Sequence, residues 1–260
     1  MQQARRNFIL GALSFGTPFI FATPGKAQQN QSHFAGGRLA RVVSGDVFEL
    51  QDGRVVRLAG MVAPRPPTGS KAGQPLWQEA KSQLREILQG HELVFHQVGH
   101  DRFGRIISHV MAGPKRIWAQ GQMLRLGFAR VKTSAQDHSR ARLMLRLENE
   151  SRMAKKNIWR HGFYRVRQPD TLDADFGSFQ IVAGKVLSVA NGRSNTYLNF
   201  GPNWRQDFTA QANRKVTRAF AKAGMRLSRL SGRNVQVRGL ILPQNGALIK
   251  LGHPSQLEHF

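Results

Sequence analysis

From residue 37 onward the chain alternates short apolar runs with breaks carrying Gly and Asp. Residues 39–43 and 47–50 flank Ser44, Gly45 and Asp46, and residues 55–58 follow Asp52 and Gly53. Runs this short, punctuated in this way, predict a meander of β-strands. Pro64, Pro66, Pro67 and Pro75 then mark an irregular loop over 64–75. After it the period changes. Leu76, Ala80, Leu84, Ile87 and Leu88 recur at helical spacing, with Gly90 as a stop. Strand-like runs at 93–95 and 106–110 join through a turn over 101–105. Further helices are expected over 117–126, ended by Gly127, and over 140–156, with Leu143, Leu147 and Ala154 facing inward.

A polar, Asp-bearing stretch over 167–178 reads as a linker. Strands are then expected at 180–189, 196–200 and 208–210, a helix over 213–223, and strands at 234–242 and 247–251. Each half therefore runs three strands, a helix, then two strands. Both halves restart after the helix with a similar phrase, Gly90-His91-Glu92-Leu93-Val94-Phe95 and Gly232-Arg233-Asn234-Val235-Gln236-Val237. This is the order of the five-stranded OB barrel, a fold that binds oligonucleotides and oligosaccharides. The expected class is β-rich α+β, with an OB-type barrel and added helices over 37–166 and a second, smaller OB-like domain over 179–260.

The ends and the charge add to this picture. Arg5 and Arg6 precede an apolar stretch over 8–22 that Gly11, Ser14, Gly16, Thr17 and Pro18 dilute. It is shorter than the ~20 residues of a membrane span and reads as an export signal over 1–27, with 28–36 as a polar linker. The arginine pair suits twin-arginine export; an ordinary secretory signal carrying two arginines fits as well. The expected location is periplasmic or secreted, with no stable membrane span once the signal is cleaved. Lys and Arg number 39 against 15 Asp and Glu, a formal charge of +24. Without Arg5, Arg6 and Lys26 the balance is 36 against 15, or +21, so the charge belongs to the mature chain. A field of this sign favours nucleic acid or another polyanion. No cysteine is present, which excludes disulfides, zinc–thiolate sites and thiol nucleophiles.

Several segments carry a more specific signal. In order they are Val43-Ser44-Gly45-Asp46, the run from Arg57 through Gly60 to Pro64, Glu79-Ala80, the Asp101-Arg102-Phe103-Gly104-Arg105 turn, Gly127 to Val131, and Asn157-Ile158-Trp159. Together they resemble the staphylococcal nuclease (thermonuclease) family over 37–160. The resemblance implies calcium-dependent phosphodiester hydrolysis. That chemistry needs carboxylates for a hard cation, a Glu to activate water, and arginines for the charge on the phosphoryl oxygens.

Carried over on the resemblance, Asp46 falls at the first calcium carboxylate, and Arg57 and Arg105 at the phosphate-binding catalytic arginines. The second calcium carboxylate falls at Val62, which cannot ligate. The general base falls at Arg65, which cannot accept a proton. The nucleotide-contacting tyrosines fall at Thr133 and Ala135. Asp46 against Arg57, Arg65 and Arg105 gives a formal +2, a pocket suited to a phosphate without metal. Arg65, Arg102 and Arg130 are expected to contact nucleic acid.

No cofactor is expected on this reading. The chain is then an impaired nuclease relative that binds a polyanion through a basic surface. Two alternatives stand beside it. One is an active phosphodiesterase using calcium, with acids drawn from Glu49 or Glu79. The other is an interaction protein whose second domain binds a partner or the envelope surface. Weaker signals remain. His91, His96, His100 and His109 span a strand and a turn, so their spacing does not force a metal site. Arg140, Arg142, Arg146 and Arg152 form either a phosphate-tracking helix face or a solvated one. Tyr197, Phe200, Trp204 and Phe208, interleaved with Arg193 and Arg205, suit either barrel core or single-strand stacking.

Overall fold

A computed structural model describes residues 33–135 and 137–259. The expected export signal and residues 28–32 lie outside them. The first meander consists of β1 (His33–Ser44), β2 (Val47–Leu50) and β3 (Val55–Leu58), each antiparallel to the next, with Phe48 opposite Val56. The two-residue β4 (Met61–Val62) follows, and then the proline loop. Helix α1 (Trp77–Leu88) buries Ala80, Leu84, Ile87 and Leu88, the stripe its spacing predicts. Strand β5 (Glu92–His100) returns antiparallel to β1, and β6 (Ile106–Ala112) pairs with β5 and lies parallel to β3, which closes the barrel. Then come β7 (Ile117–Trp118), α2 (Ala119–Arg125), β8 (Arg130–Val131), paired back to β4, and α3 (Ala141–Met153). Phe48, Leu58, Leu84, Phe95 and Val110 meet in the core.

The second half repeats this pairing. It comprises β9 (Phe179–Lys185), β10 (Ser188–Asn191), β11 (Asn195–Asn199), β12 (Thr209–Asn213), α4 (Arg214–Lys222), β13 (Asn234–Leu240), β14 (Leu242–Pro243), β15 (Ala247–Leu251) and β16 (Leu257–His259). β9 and β13 are antiparallel, and β12 and β15 parallel, as β1 and β5, and β3 and β6, are in the first half. Asn213 starts α4 by accepting a hydrogen bond from the Val216 amide at 2.9 Å. Phe200 and Phe208 are buried in its core with Val237 and Ile249, so they are packing residues.

The structure differs from the sequence reading at the joints. β1 begins at His33, inside the expected 28–36 linker, because the backbone pairs with β5 from there. The expected strand over 180–189 is interrupted between β9 and β10. The 167–178 stretch is polar yet packed, because its polar groups satisfy one another: Arg167 donates to both oxygens of Asp175, at 2.7 and 3.0 Å, and Leu172 is buried.

The described residues fall in one compact unit, and polar groups bridge the seam between its two barrels. Arg238, on β13, is 1% exposed and donates to Glu148 of α3 at 2.6 Å and to Glu258 at 2.7 Å. Burial opposes the Arg238 charge, but the two carboxylates outweigh it and raise its pKa. Glu148 also accepts the Val131 amide at 2.7 Å, and Arg152 donates to Gln236 at 2.7 Å. A buried pair of this kind adds little against an apolar substitute, but losing one member costs about 3–5 kcal/mol.

Candidate functional site

The β1–β2 turn positions Asp46. A side chain at Gly45 would come within 2.7 Å of Ala63 and 2.9 Å of Ala80, so glycine lets the loop and α1 close on the turn. Asp46 accepts a hydrogen bond from the Ser44 hydroxyl at 2.8 Å, and its carbonyl accepts the Leu58 amide at 2.8 Å. The second bond fixes the turn beside Arg57, which is half-buried on β3 between Val47 and Ile107. Arg65 is exposed just past Pro64, with its amide donated to Gln74.

Lys132 joins these groups. It follows β8, and its amide donates to the Gly60 carbonyl at 2.8 Å. Burial lowers the Lys132 pKa, and the charges of Arg57 and Arg65 lower it further, against an opposing pull from Asp46. Arg57, Arg65, Arg130 and Asp46 thus all lie close enough to act on the Lys132 charge, and the cations among them prevail. Beside them lies a cleft of about 180 Å³ lined by Arg57, Gly60, Ile107, Lys132, Thr133 and Asp137.

Arg105 is placed differently. Its Nε and Nη2 both lie 2.7 Å from Asp101 Oδ2, and its guanidinium stacks on Phe103. Burial raises the Asp101 pKa, but the Arg105 hydrogen bond and two backbone amides outweigh it and hold the carboxyl below its ordinary value. Arg105 therefore closes the β5–β6 turn, and that pair leaves Nη1 unused. Arg102 is exposed over the same Phe103 ring.

Arg130, expected to contact nucleic acid, requires correction. It is 4% exposed, sandwiched by Tyr164 and Phe179 at 5.1 and 5.2 Å, and donates to Gln180 at 3.3 Å. Burial lowers its pKa to about 10, so it stays charged at neutral pH inside the seam. Thr133 is buried and shares a hydrogen bond with Ser255 across the same seam. Neither acid considered from sequence lines the cleft: Glu49 pairs with Arg41, and Glu79 is exposed on α1.

The cleft's carboxylate is Asp137, which the sequence reading missed. His109 Nε2 lies 3.1 Å from Asp137 Oδ1, and both residues are buried. Asp137 Oδ2 and His109 Nδ1 have no hydrogen-bond partner among the described residues. Gly60, at a φ of 72°, faces this pair; a Cβ there would lie 2.9 Å from Asp137 Oδ2. No motif marks Asp137, and no local pattern in β6 signals its pairing with His109.

The residues at the implied calcium site do not suit that ion, which takes about six to eight oxygen ligands. Val62 is an apolar side chain 5% exposed, and Asp46 is the one carboxylate among the residues that fall at that site. Among the described residues no group of three His, Asp or Glu side chains is placed to hold a metal.

The chain matches the family model described as staphylococcal nuclease homologue over residues 55–161. It is similar to two proteins named "Probable endonuclease LCL3". The one from Komagataella phaffii is 31% identical over 40% of this chain and 48% of that protein. The one from Schizophyllum commune is 30% identical over 44% of this chain and 43% of that protein. An "Uncharacterized endonuclease" of Escherichia coli is 28% identical over 47% of this chain and 76% of that protein. The chain spans about half the length of the first two.

Proposed function

We propose that this chain, whose residues 55–161 match the staphylococcal nuclease homologue model, is an exported nucleic-acid-binding protein whose catalytic capacity is impaired. The observation that carries this reading is the meeting of Arg57 and Lys132 in one cleft, with Arg65 and Asp46 close enough to act on the Lys132 charge. Guanidinium forks bind phosphate oxygens two at a time, and an ammonium adds a point charge. The same cluster repels a divalent cation. Loss of a general base alone removes about 10²–10⁴ in rate. The signal-like segment over 1–27 supports export, and the net charge of +24 supports a polyanionic ligand. Among the described residues no helix is long and apolar enough to cross a membrane.

One observation favours a second reading, an active phosphodiesterase. Asp137 lines the cleft with Arg57 and Lys132, and one of its oxygens is unpaired. Purified full chain incubated with plasmid and RNA, with and without calcium, separates the two. The first reading predicts intact nucleic acid that remains bound. Cleavage abolished by Asp137→Asn would establish the second.

A further inference from the structure

The second barrel holds a cleft of about 380 Å³, within the ~300–1,000 Å³ usual for small-molecule sites. Cross-strand register builds its floor: Tyr197 lies opposite Gln211, and Asn199 opposite Thr209. The 200–208 loop adds Trp204, and the loop between β14 and β15 adds Gln244 and Asn245. In an OB barrel the second and third strands, with the loops after the first and fourth, form the ligand face. Here those parts are β11, β12, the 191–195 hairpin and the 241–246 connection.

Among the described residues no charged side chain lines the cleft. Trp204 is 53% exposed, with the Arg205 guanidinium 5.2 Å over its ring. Asn199 is occupied, donating to Ser188 and accepting from Thr209. Gln211 is not: its Oε1 is buried with no hydrogen-bond partner among the described residues. An amide oxygen in that state is unfavourable until a ligand donates to it.

We propose that this cleft seats an unpaired base of single-stranded nucleic acid, stacked on Trp204 and read by the amides of Gln211, Gln244 and Asn245. An amide offers a donor and an acceptor side by side, as a base edge does. Stacking on an aromatic ring suits any base, and bordering cations hold the backbone. Those cations are present: Lys250 follows Gln211 in the same cross-strand row, and Arg193 and Arg205 lie on the bordering loops. A neutral glycan would use the ring and the amides but gain nothing from the cations. The inference rests on the nucleic-acid reading above and adds to it a site that distinguishes bases from backbone.

The test measures anisotropy of the full chain with two labelled strands of equal length, one oligothymidylate and one abasic. The unaltered chain is expected to bind the thymidylate strand about tenfold tighter, the order of one base–aromatic stack. Trp204→Ala should abolish that preference and leave abasic binding unchanged, while Trp204→Phe should retain most of it. An unchanged urea midpoint for both variants shows that the fold is intact. Equal binding of the two strands overturns the cleft site and leaves the backbone reading standing. Binding of neither overturns both. A neutral oligosaccharide that binds and is lost in Trp204→Ala assigns the cleft to glycan and overturns the base.

Discussion

On the first barrel, the face around β3 and the Asp46 turn carries Arg57, Arg65 and Lys132, with the carboxylates of Asp46 and Asp137. On the second, the face of β11 and β12 presents Tyr197 and Gln211 beside the loop residue Trp204, with no charged side chain among the described residues of the lining. Both faces share an antiparallel pair that continues into a parallel one, β2–β3–β6 and β11–β12–β15, so that pairing does not decide what each one binds. The difference lies in range and selectivity. Cations act through water over a Debye length and hold any phosphate backbone, with strong salt dependence. A neutral cleft with an aromatic wall acts at contact, and little of its energy is lost to salt. A chain carrying both would attract a strand with the first face and examine its bases with the second.

The largest expected effect concerns the seam that holds the faces together. Glu148→Gln leaves Arg238 short of charge in a buried site, and a loss of about 3–5 kcal/mol is expected in urea unfolding. Because the seam joins both halves, probes in either barrel should report one shared transition. Two separated transitions in the unaltered chain would show that the barrels are independent. Next in size, Arg57→Ala with Lys132→Ala should flatten the slope of log affinity against log salt by about 1.4, two phosphate contacts at ~0.7 each on a single strand. Trp204→Ala should leave that slope alone. A change of slope in both variants would erase the distinction between the faces.

The smallest effect concerns pH. Burial first, then the neighbouring His138, holds His253 below its ordinary 6.5. The rings of His138 and His253 stack with centroids 4.1 Å apart at the seam. A histidine with a depressed folded pKa binds fewer protons than the unfolded chain. Its contribution is therefore complete above about 6.5 and declines as pH falls from there toward the folded value. A lower urea midpoint on mild acidification, flattened by His253→Gln, is the expected result. An unchanged midpoint in the unaltered chain would remove this group from the account.

Much of the fold was legible because patterning and topology agreed. The stripe from Ala80 to Leu88 became α1, and 55–58 and 247–251 became strands at those bounds. The order of segments also pointed to Asp46, Arg57 and Arg65. What could not be read was pairing at a distance. Arg130 has the composition of a surface contact, yet Tyr164, Phe179 and Gln180 enclose it from far along the chain. Lys132 and Asp137 reach the cleft only through the path from β8 toward α3, which no local period describes. The polar 167–178 stretch looked solvated because its satisfaction by Arg167 and Asp175 depends on geometry.

The face around Arg57 and Lys132 is proposed to bind phosphate with arginine and lysine in place of metal and acid. Titrating a labelled single strand into the full chain across a salt series, with calcium and with chelator, tests it most directly. The expected result is a linear fall of log affinity with log salt that calcium and chelator leave unchanged, and a strand recovered whole. Tight binding that requires calcium, or shortening of the strand, would contradict it.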